Sequence, residues 1–241
     1  MSIVVPAVLP SSHKDFDEKL TLFASLPLVS RVQIDVVDGK FATPASWPYN
    51  APEELRNMVK RGGTPSGVPM REMLPQLDRI EYEIDLMCFD AERVAEEWLA
   101  LGATRLTFHA ESTSDLPRLL ASARQRYGSI VSYGIALNVM SDLALIEMNL
   151  SEIDYVQFMG IARIGRQGQS FDERAYEKVR IFHLRHPAFP IQVDGGISLT
   201  NAKKLLALGV SNLVIGSTIL RAHDPVAAVE AFEALQSSYG V

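Results

Sequence analysis

The sequence has little of several features that would assign it to a particular class of protein. It contains one cysteine, Cys88, which excludes an internal disulfide and suits a reducing compartment such as the cytoplasm. Its 23 Lys and Arg residues are outnumbered by 29 Asp and Glu residues and form no basic cluster, so no nucleic-acid partner is expected. No apolar run is long enough to span a bilayer, so no membrane association is expected. The apolar residues 1–10 lack a basic leader, which favours a first strand over a signal peptide.

Short β-branched runs alternate with longer helical patterns along the whole chain. The predicted strands are residues 3–9, 31–36, 80–87, 105–109, 131–138, 155–160, 191–194 and 212–215. The predicted helices are residues 14–25, 51–60, 91–101, 115–127, 141–149, 172–186, 199–208 and 225–238. Eight strands that alternate with helices predict a (β/α)₈ TIM barrel, with residues 1–241 as a single domain. A doubly wound open sheet is the structural alternative.

Local signals support several helix ends in this scheme. Ser198 and Asp224 stand where N-caps are expected, because each precedes a helical pattern. Gly102 and Gly209 follow predicted helices, where a C-terminal glycine is common. The Gly- and Pro-rich residues 61–70 predict a loop.

The second predicted strand carries polar residues inside an apolar run. Its sequence QIDVVDG begins at Gln33, and alternation places Gln33, Asp35 and Val37 on one face. The intervening valines and isoleucine occupy the other face. One face is therefore apolar, whereas the other collects polar groups that need partners.

Further acidic side chains fall at the predicted carboxyl ends of other strands, where barrel enzymes place their catalytic groups. Asp85, Glu111 and Asp194 join Asp35 in this position. Carboxylates that share one barrel mouth repel each other, so either one is protonated or a cation lies among them.

Glycines mark the last two strand ends. VDGGIS (residues 193–198) and VIGST (residues 214–218) each lead into a helical pattern, so their backbone N–H groups can approach a phosphate. Barrels often bind phosphate at these two loops. Residues 161–170, IARIGRQGQS, are either a solvated loop or a lid over a phosphate-bearing substrate.

These motifs together make the chain resemble the ribulose-phosphate 3-epimerase family from Val5 to about Leu220. In the first half of the chain, PAVL (6–9) matches the family's PSIL, QIDVVDGKFATP (33–44) matches HxDVMDGxFVPN, EIDLMC (83–88) matches DVHLMV, and FHAE (108–111) matches FHxE. In the second half, GIALNV (134–139) matches GLALNP, residues 159–171 match MTVNPGFGGQxF, VDGGI (193–197) matches VDGGI, and GSTIL (216–220) matches GSAIF.

The resemblance implies a 3-epimerase that interconverts ketose phosphate epimers. Asp35 would be the general base and Asp194 the general acid, acting through an enediolate that a divalent metal stabilises. The implied substrate- and phosphate-binding residues are Gly165, Gly168, Gly195, Gly196, Gly216, Ser217, Met87 and Met159. The resemblance further implies a cytoplasmic homo-oligomer of carbohydrate metabolism, and no organic cofactor is expected.

The chain departs from the family pattern where the family binds its metal with two histidines. Gln33 and Asp85 stand at these two positions. In one hypothesis, Gln33, Asp35, Asp85 and Asp194 hold an oxygen-liganded ion such as Mg²⁺ or Mn²⁺. In the other, no metal binds, and either an arginine of residues 161–170 supplies the positive charge or one acid stays protonated.

The sequence therefore predicts a phosphosugar epimerase or isomerase that binds a phosphorylated ketose. Another sugar-phosphate isomerase or lyase on the same barrel is the alternative enzyme. A non-catalytic phosphosugar-binding relative is the alternative outside the enzymes.

Overall fold

The computed structural model describes residues 2–60 and 73–236, without the side chain of Lys60. Eight parallel strands form a closed barrel in chain order, and β1 pairs with β8. The strands are β1 Val4–Val8, β2 Arg31–Val37, β3 Glu81–Met87, β4 Arg105–His109, β5 Ser132–Leu137, β6 Tyr155–Met159, β7 Ile191–Asp194 and β8 Asn212–Ile215. This closure confirms the predicted (β/α)₈ barrel and excludes the open sheet.

Helices follow the strands along the described chain. They are α1 His13–Ser25, α2 Pro52–Lys60, α3 Ala91–Ala100, α4 Leu116–Tyr127, α5 Ala144–Glu147, α6 Arg174–Arg185, α7 Leu199–Ala207, α8 Ser217–Leu220 and α9 Pro225–Glu233. Three 3₁₀ turns, Ala110–Ser112, Gly128–Ile130 and Leu150–Glu152, lie between them. Within the described part of the chain, no helix combines the length and apolar character needed to cross a bilayer.

The predicted strands agree with the observed ones to within one residue at each end. Two predicted helices are clearly longer than the observed ones, because α9 ends at Glu233 where residues 225–238 were predicted, and only Ala144–Glu147 of residues 141–149 form a helix, α5. Side chains compete for the backbone on either side of α5. Asp142 Oδ1 accepts from the backbone N–H of Ala144, and Asn149 Nδ2 donates back to the Leu145 carbonyl. The short helix α8 begins at Ser217, where VIGST was predicted to lead into a helical pattern, although no bounds were predicted for it. Residues 61–70, predicted as a loop, lie outside the described residues.

The predicted helix ends are confirmed in detail. Ser198 caps α7 by accepting from the backbone N–H of Asn201, whose side chain in turn accepts from the Ser198 backbone N–H. Asp224 caps α9 by accepting from the backbone N–H of Ala227. Gly102 and Gly209 follow α3 and α7 with φ of +105° and +90°. These predicted ends of α3, α7 and α9 therefore coincide with the observed ones.

Alternation along the strands divides the barrel into two layers. The outward side chains of β2, Val32, Ile34 and Val36, belong to one large apolar cluster between strands and helices. The inward side chains include Gln33 and Asp35, both buried. Polar residues from other strands join them inside the barrel, and these are Glu83, Asp85, Thr107, His109, Gln157, Gln192 and Asp194. The barrel interior is thus unusually polar, and its polar groups must satisfy one another.

Candidate active site

Three carboxylates meet at the carboxyl end of the barrel. Asp35 lies on the inward face of β2, Asp85 is its partner on β3, and Asp194 is the last residue of β7. One oxygen of each lies within 4.8 Å of those of the other two. The structure therefore brings together three of the four acids that the sequence placed at strand ends.

An amide lies directly beneath two of these acids. Gln33 Nε2 donates to Asp35 Oδ1 at 2.8 Å and to Asp194 Oδ2 at 3.1 Å. Gln33 reaches both because it precedes Asp35 by two residues on the same inward face of β2. Its NH₂ group, not its carbonyl oxygen, faces the carboxylates.

The third acid, Asp85, has its own partners. His109 Nε2 lies 2.9 Å from Asp85 Oδ1, and Gln157 Nε2 donates to Asp85 Oδ2 at 3.2 Å. Burial lowers the pKa of His109, but the nearby carboxylates, Asp85 first among them, raise this pKa overall. Asp85 and His109 are therefore a buried pair that becomes an ion pair when His109 is protonated.

A deeper layer of side chains fixes the direction of both amides. Gln192 Nε2 lies 2.7 Å from Gln157 Oε1, 3.3 Å from Gln33 Oε1 and 2.6 Å from Glu83 Oε1. Glu83 is itself paired with Arg105, whose Nε donates at 3.0 Å. Because the carbonyl oxygens of Gln33 and Gln157 face this donor, their NH₂ groups point upward to the acids.

Asp35 and Asp194 share an environment that favours the protonated form. Burial and then the Asp85 carboxylate raise the pKa of Asp35 well above its usual range, and the Gln33 hydrogen bond opposes this. Burial, Asp35 and Asp85 raise the pKa of Asp194 likewise. Two neighbouring carboxylates of this kind retain one proton between them. One carboxylate can then accept a proton while the other donates one.

The glycine turns and the acids line the same cavity. The lining residues that were predicted from the sequence are Asp35, Met87, Met159, Gly165, Gly168, Asp194, Gly195, Gly196, Gly216 and Ser217. Gly195 and Gly196, directly after β7, have φ of +102° and +69°. A Cβ on Gly196 would lie 2.7 Å from backbone atoms of Phe171, so the close approach of two chain segments requires glycine there.

Residues 161–170, between β6 and α6, close over this cavity. Arg166 Nε donates to the Thr43 carbonyl at 2.9 Å, and Gln167 Nε2 donates to the Ala7 carbonyl at 3.3 Å. A Cβ on Gly216 would lie 2.4 Å from Gln167 Nε2, so the glutamine side chain fills the space above that glycine. The cavity keeps about 40 Å³ of free space, room for a few water molecules. Gln167 must therefore move before a molecule larger than a few waters enters.

Sequence reasoning assigned no role to four residues of the polar network. They are Glu83, His109, Gln157 and Gln192, all fully or almost fully buried inside the barrel. Alternation along β3, β4, β6 and β7 would have placed each on the inward face. Their mutual contacts join strands far apart in sequence, which no local pattern shows.

The metal implied by the family can be tested against these contacts. Three carboxylates suit a hard divalent cation in donor type and charge. However, one oxygen of Asp35 and one of Asp194 already accept N–H bonds from Gln33. Gln33 can offer an oxygen ligand only if its amide reverses, which would set its NH₂ group against Gln192 Nε2. The side chains as they stand do not fit a resident metal, and Gln33 is a donor to the acids.

The fold and this mouth define a (β/α)₈ barrel with the layout of barrel enzymes, whose sites lie at the carboxyl ends of the strands. The model of the ribulose-phosphate 3 epimerase family matches residues 64–220, more than half of the chain. The chain therefore belongs to this family. The matched stretch contains Asp85 and Asp194, whereas Asp35 precedes it.

Relatives show how far the similarity extends. A ribulose-phosphate 3-epimerase from Aquifex aeolicus is 27% identical over 208 residues, which cover 85% of this chain and 83% of that one. One from Mycobacterium leprae is 25% identical over 236 residues, covering 95% and 92%. One from Schizosaccharomyces pombe is 27% identical over 144 residues, and the match spans 60% of this chain and 61% of that protein.

Solved structures share the fold at lower identity. KGPDC from Streptococcus mutans superposes with a TM-score of 0.67 and 16% identity, covering 99% of both chains. The 3-hexulose-6-phosphate synthase from Salmonella typhimurium superposes with a TM-score of 0.65 and 15% identity, covering 99% of this chain and 100% of that one. These likenesses show the barrel alone.

Proposed function

We propose that this protein is an isomerase that epimerises a ketose phosphate at carbon 3. The observation that carries this proposal is the pair Asp35 and Asp194, two buried carboxylates that line one cavity beside a glycine-rich turn. Family membership supports the same reaction class. The protein would act as a single barrel domain over residues 1–241, and its homo-oligomeric state and cytoplasmic location remain predictions.

Substrate binding would begin at the two glycine turns. The backbone N–H groups around Gly195, Gly196 and Gly216 would hold the phosphate, aided by the Ser217 hydroxyl. The sugar would then extend toward Met87 and the two aspartates. Residues 161–170 would open to admit the substrate and close again to exclude water.

Proton transfer would use the two carboxylates in opposite states. Asp35, ionised, would remove the proton from carbon 3, which is acidified by the neighbouring carbonyl. Asp194, protonated, would deliver a proton to the other face of the same carbon, and the roles would exchange in the reverse reaction. A site that retains one proton between two acids suits this exchange, because one group is ready to accept while the other is ready to donate.

Solvent-deuterium incorporation tests the proposal. In deuterated water, the protein should exchange the carbon-3 proton of ribulose 5-phosphate or another ketose phosphate for deuterium, and NMR measures the rate of this exchange. Asp35→Asn and Asp194→Asn should each slow exchange by about 10²–10⁴-fold, the usual contribution of a general acid or base. Asp78→Asn, the same change at an exposed carboxylate, should leave exchange unchanged.

Other outcomes would select the alternatives. Exchange at a different carbon, or bond cleavage, would indicate another phosphosugar isomerase or a lyase. Binding of ketose phosphates without exchange would indicate a non-catalytic phosphosugar-binding protein. Full exchange in both asparagine variants would contradict the assigned roles of Asp35 and Asp194.

A further inference from the structure

We propose that this site works without a resident divalent metal, because the amide of Gln33 donates to oxygens of Asp35 and Asp194 that a cation between them would need. The catalytic meaning of this inference rests on the proposed epimerase function. Its binding prediction stands independently, because metal affinity can be measured without turnover.

The first argument is the direction of the Gln33 hydrogen bonds. Its NH₂ group donates to one oxygen of each aspartate, at 2.8 Å and 3.1 Å. Both N–H bonds are thus spent on the two carboxylates. A cation placed between these oxygens would meet the hydrogens of the amide instead of a lone pair, so Gln33 opposes it there.

The second argument is that the barrel interior holds this direction. Gln33 Oε1 lies 3.3 Å from Gln192 Nε2, an NH₂ group anchored at 2.6 Å on the buried Glu83 carboxylate. Reversing Gln33 would bring two NH₂ groups together and set an amide oxygen against the two acids. Reversing Gln192 as well would set its oxygen against Glu83. Glu83 therefore acts through Gln192 to keep the Gln33 donors upward.

The third argument is that both oxygens of Asp85 already have partners. Its Oδ1 pairs with His109 and its Oδ2 accepts from Gln157. Each of the three carboxylates thus has at least one nitrogen partner from the chain. Part of the negative charge that would otherwise call for a cation is therefore met by these side chains.

The role of Gln33 is therefore that of a positioning residue. It is fully buried below the cavity and contacts the two aspartates instead of the substrate. It would hold their carboxylates at one separation, which is a structural task that a bound metal performs where one is present.

Direct Mn²⁺ binding tests the inference. The wild-type protein, freed of metal by EDTA and gel filtration, should bind no Mn²⁺ at submillimolar concentration, measured by EPR of the free ion and by thermal shift. Gln33→Glu replaces the NH₂ group by oxygen without changing side-chain size. This variant should bind Mn²⁺ at least about tenfold more tightly than wild type, because affinity for hard cations rises with ligand charge. A merely structural role for Gln33 would not create a metal site.

Gln76→Glu is the matched control, since it adds the same charge on an exposed turn before β3. It should bind Mn²⁺ no better than wild type. A folded Gln33→Glu protein, checked by circular dichroism, that binds no Mn²⁺ would overturn the role given to the amide.

Wild-type measurements decide the question even if Gln33→Glu does not fold. Tight Mn²⁺ binding by the wild-type protein would overturn the inference outright. If the protein catalyses deuterium exchange, EDTA should leave the exchange rate unchanged. If EDTA abolishes exchange and Mn²⁺ restores it, the inference is also overturned. Absence of exchange with every ketose phosphate would instead count against the proposed function. The Mn²⁺-binding measurement would still test whether the site holds a metal.

Discussion

At the scale of single residues, the site depends on two carboxylates that stay buried next to each other. Asp35 is 6% exposed and Asp194 is 9% exposed, and both accept from Gln33. Folding therefore brings two acids together out of water, which disfavours their ionised forms. The function is expected to lower stability here, because a protein with one acid fewer would avoid this repulsion.

Asp194→Asn should stabilise the protein, and increasingly so at higher pH. The pKa of Asp194 is raised from its ordinary value of 3.8, so the folded state binds its proton more tightly than the unfolded state. The stability from this proton is complete below about pH 4 and is lost as pH rises through the raised pKa. The melting temperature of Asp194→Asn minus that of wild type should accordingly grow from acidic to alkaline pH.

Thermal denaturation of both proteins across this pH range measures the effect. Asp78→Asn controls for the loss of a surface charge. A difference between Asp194→Asn and wild type that does not depend on pH would contradict the raised pKa.

At the scale of elements, the site depends on the turn between β7 and α7. Gly195 and Gly196 both have positive φ, which lets the chain turn sharply beneath residues 161–170. The capping box of Ser198 and Asn201 then starts α7 immediately afterwards. The turn is thus held from both sides, with its backbone lining the cavity.

Gly196→Ala should destabilise the protein more than Gly128→Ala, although both glycines have similar φ, +69° and +64°. A Cβ at Gly196 would lie 2.7 Å from the Phe171 backbone, whereas no atom lies within 4 Å at Gly128. Gly128→Ala should cost about 1–3 kcal/mol from backbone strain alone, and Gly196→Ala should cost more because of the added contact. Urea denaturation measures the free energy of unfolding of both variants. Equal losses of this free energy would show that the Phe171 backbone can shift at little cost.

At the scale of the whole molecule, the barrel is stabilised by two different interiors. An apolar layer joins strands to helices, and a polar network fills the centre of the barrel. Arg105 supplies a positive charge to this centre, with Nε 3.0 Å from Glu83 and its guanidinium 4.1 Å from the Tyr155 ring centroid. The network that orients Gln33 is therefore anchored by a buried ion pair.

Arg105→Met should lower the free energy of unfolding by about 3–5 kcal/mol, because it leaves Glu83 buried without its countercharge. Arg118→Met, which breaks an exposed pair with Glu92 at 3.4 Å, should cost only about 0–1 kcal/mol. Denaturant unfolding of the two variants compares them. A small loss in Arg105→Met would show that Thr107 and Gln192, which also bond Glu83, suffice to hold it.

Local patterns predicted the barrel because strand alternation and helix caps are short-range properties. The inward row of β2 follows from a period of two, and the start of α7 follows from Ser198. The helix predicted at residues 141–149 is shorter than expected, because the side chains of Asp142 and Asn149 form hydrogen bonds with the backbone. Where side-chain chemistry competed with the helical pattern, the pattern alone was insufficient.

Local patterns in the chain were enough to predict a (β/α)₈ barrel with acids and glycines at the carboxyl ends of its strands. They could not predict that Gln33 presents its NH₂ group to Asp35 and Asp194. That direction depends on Gln192, 159 residues away along the chain, and on its bond to Glu83. Because an amide has a donor side and an acceptor side of nearly equal shape, its orientation is set by the partners that folding brings to it.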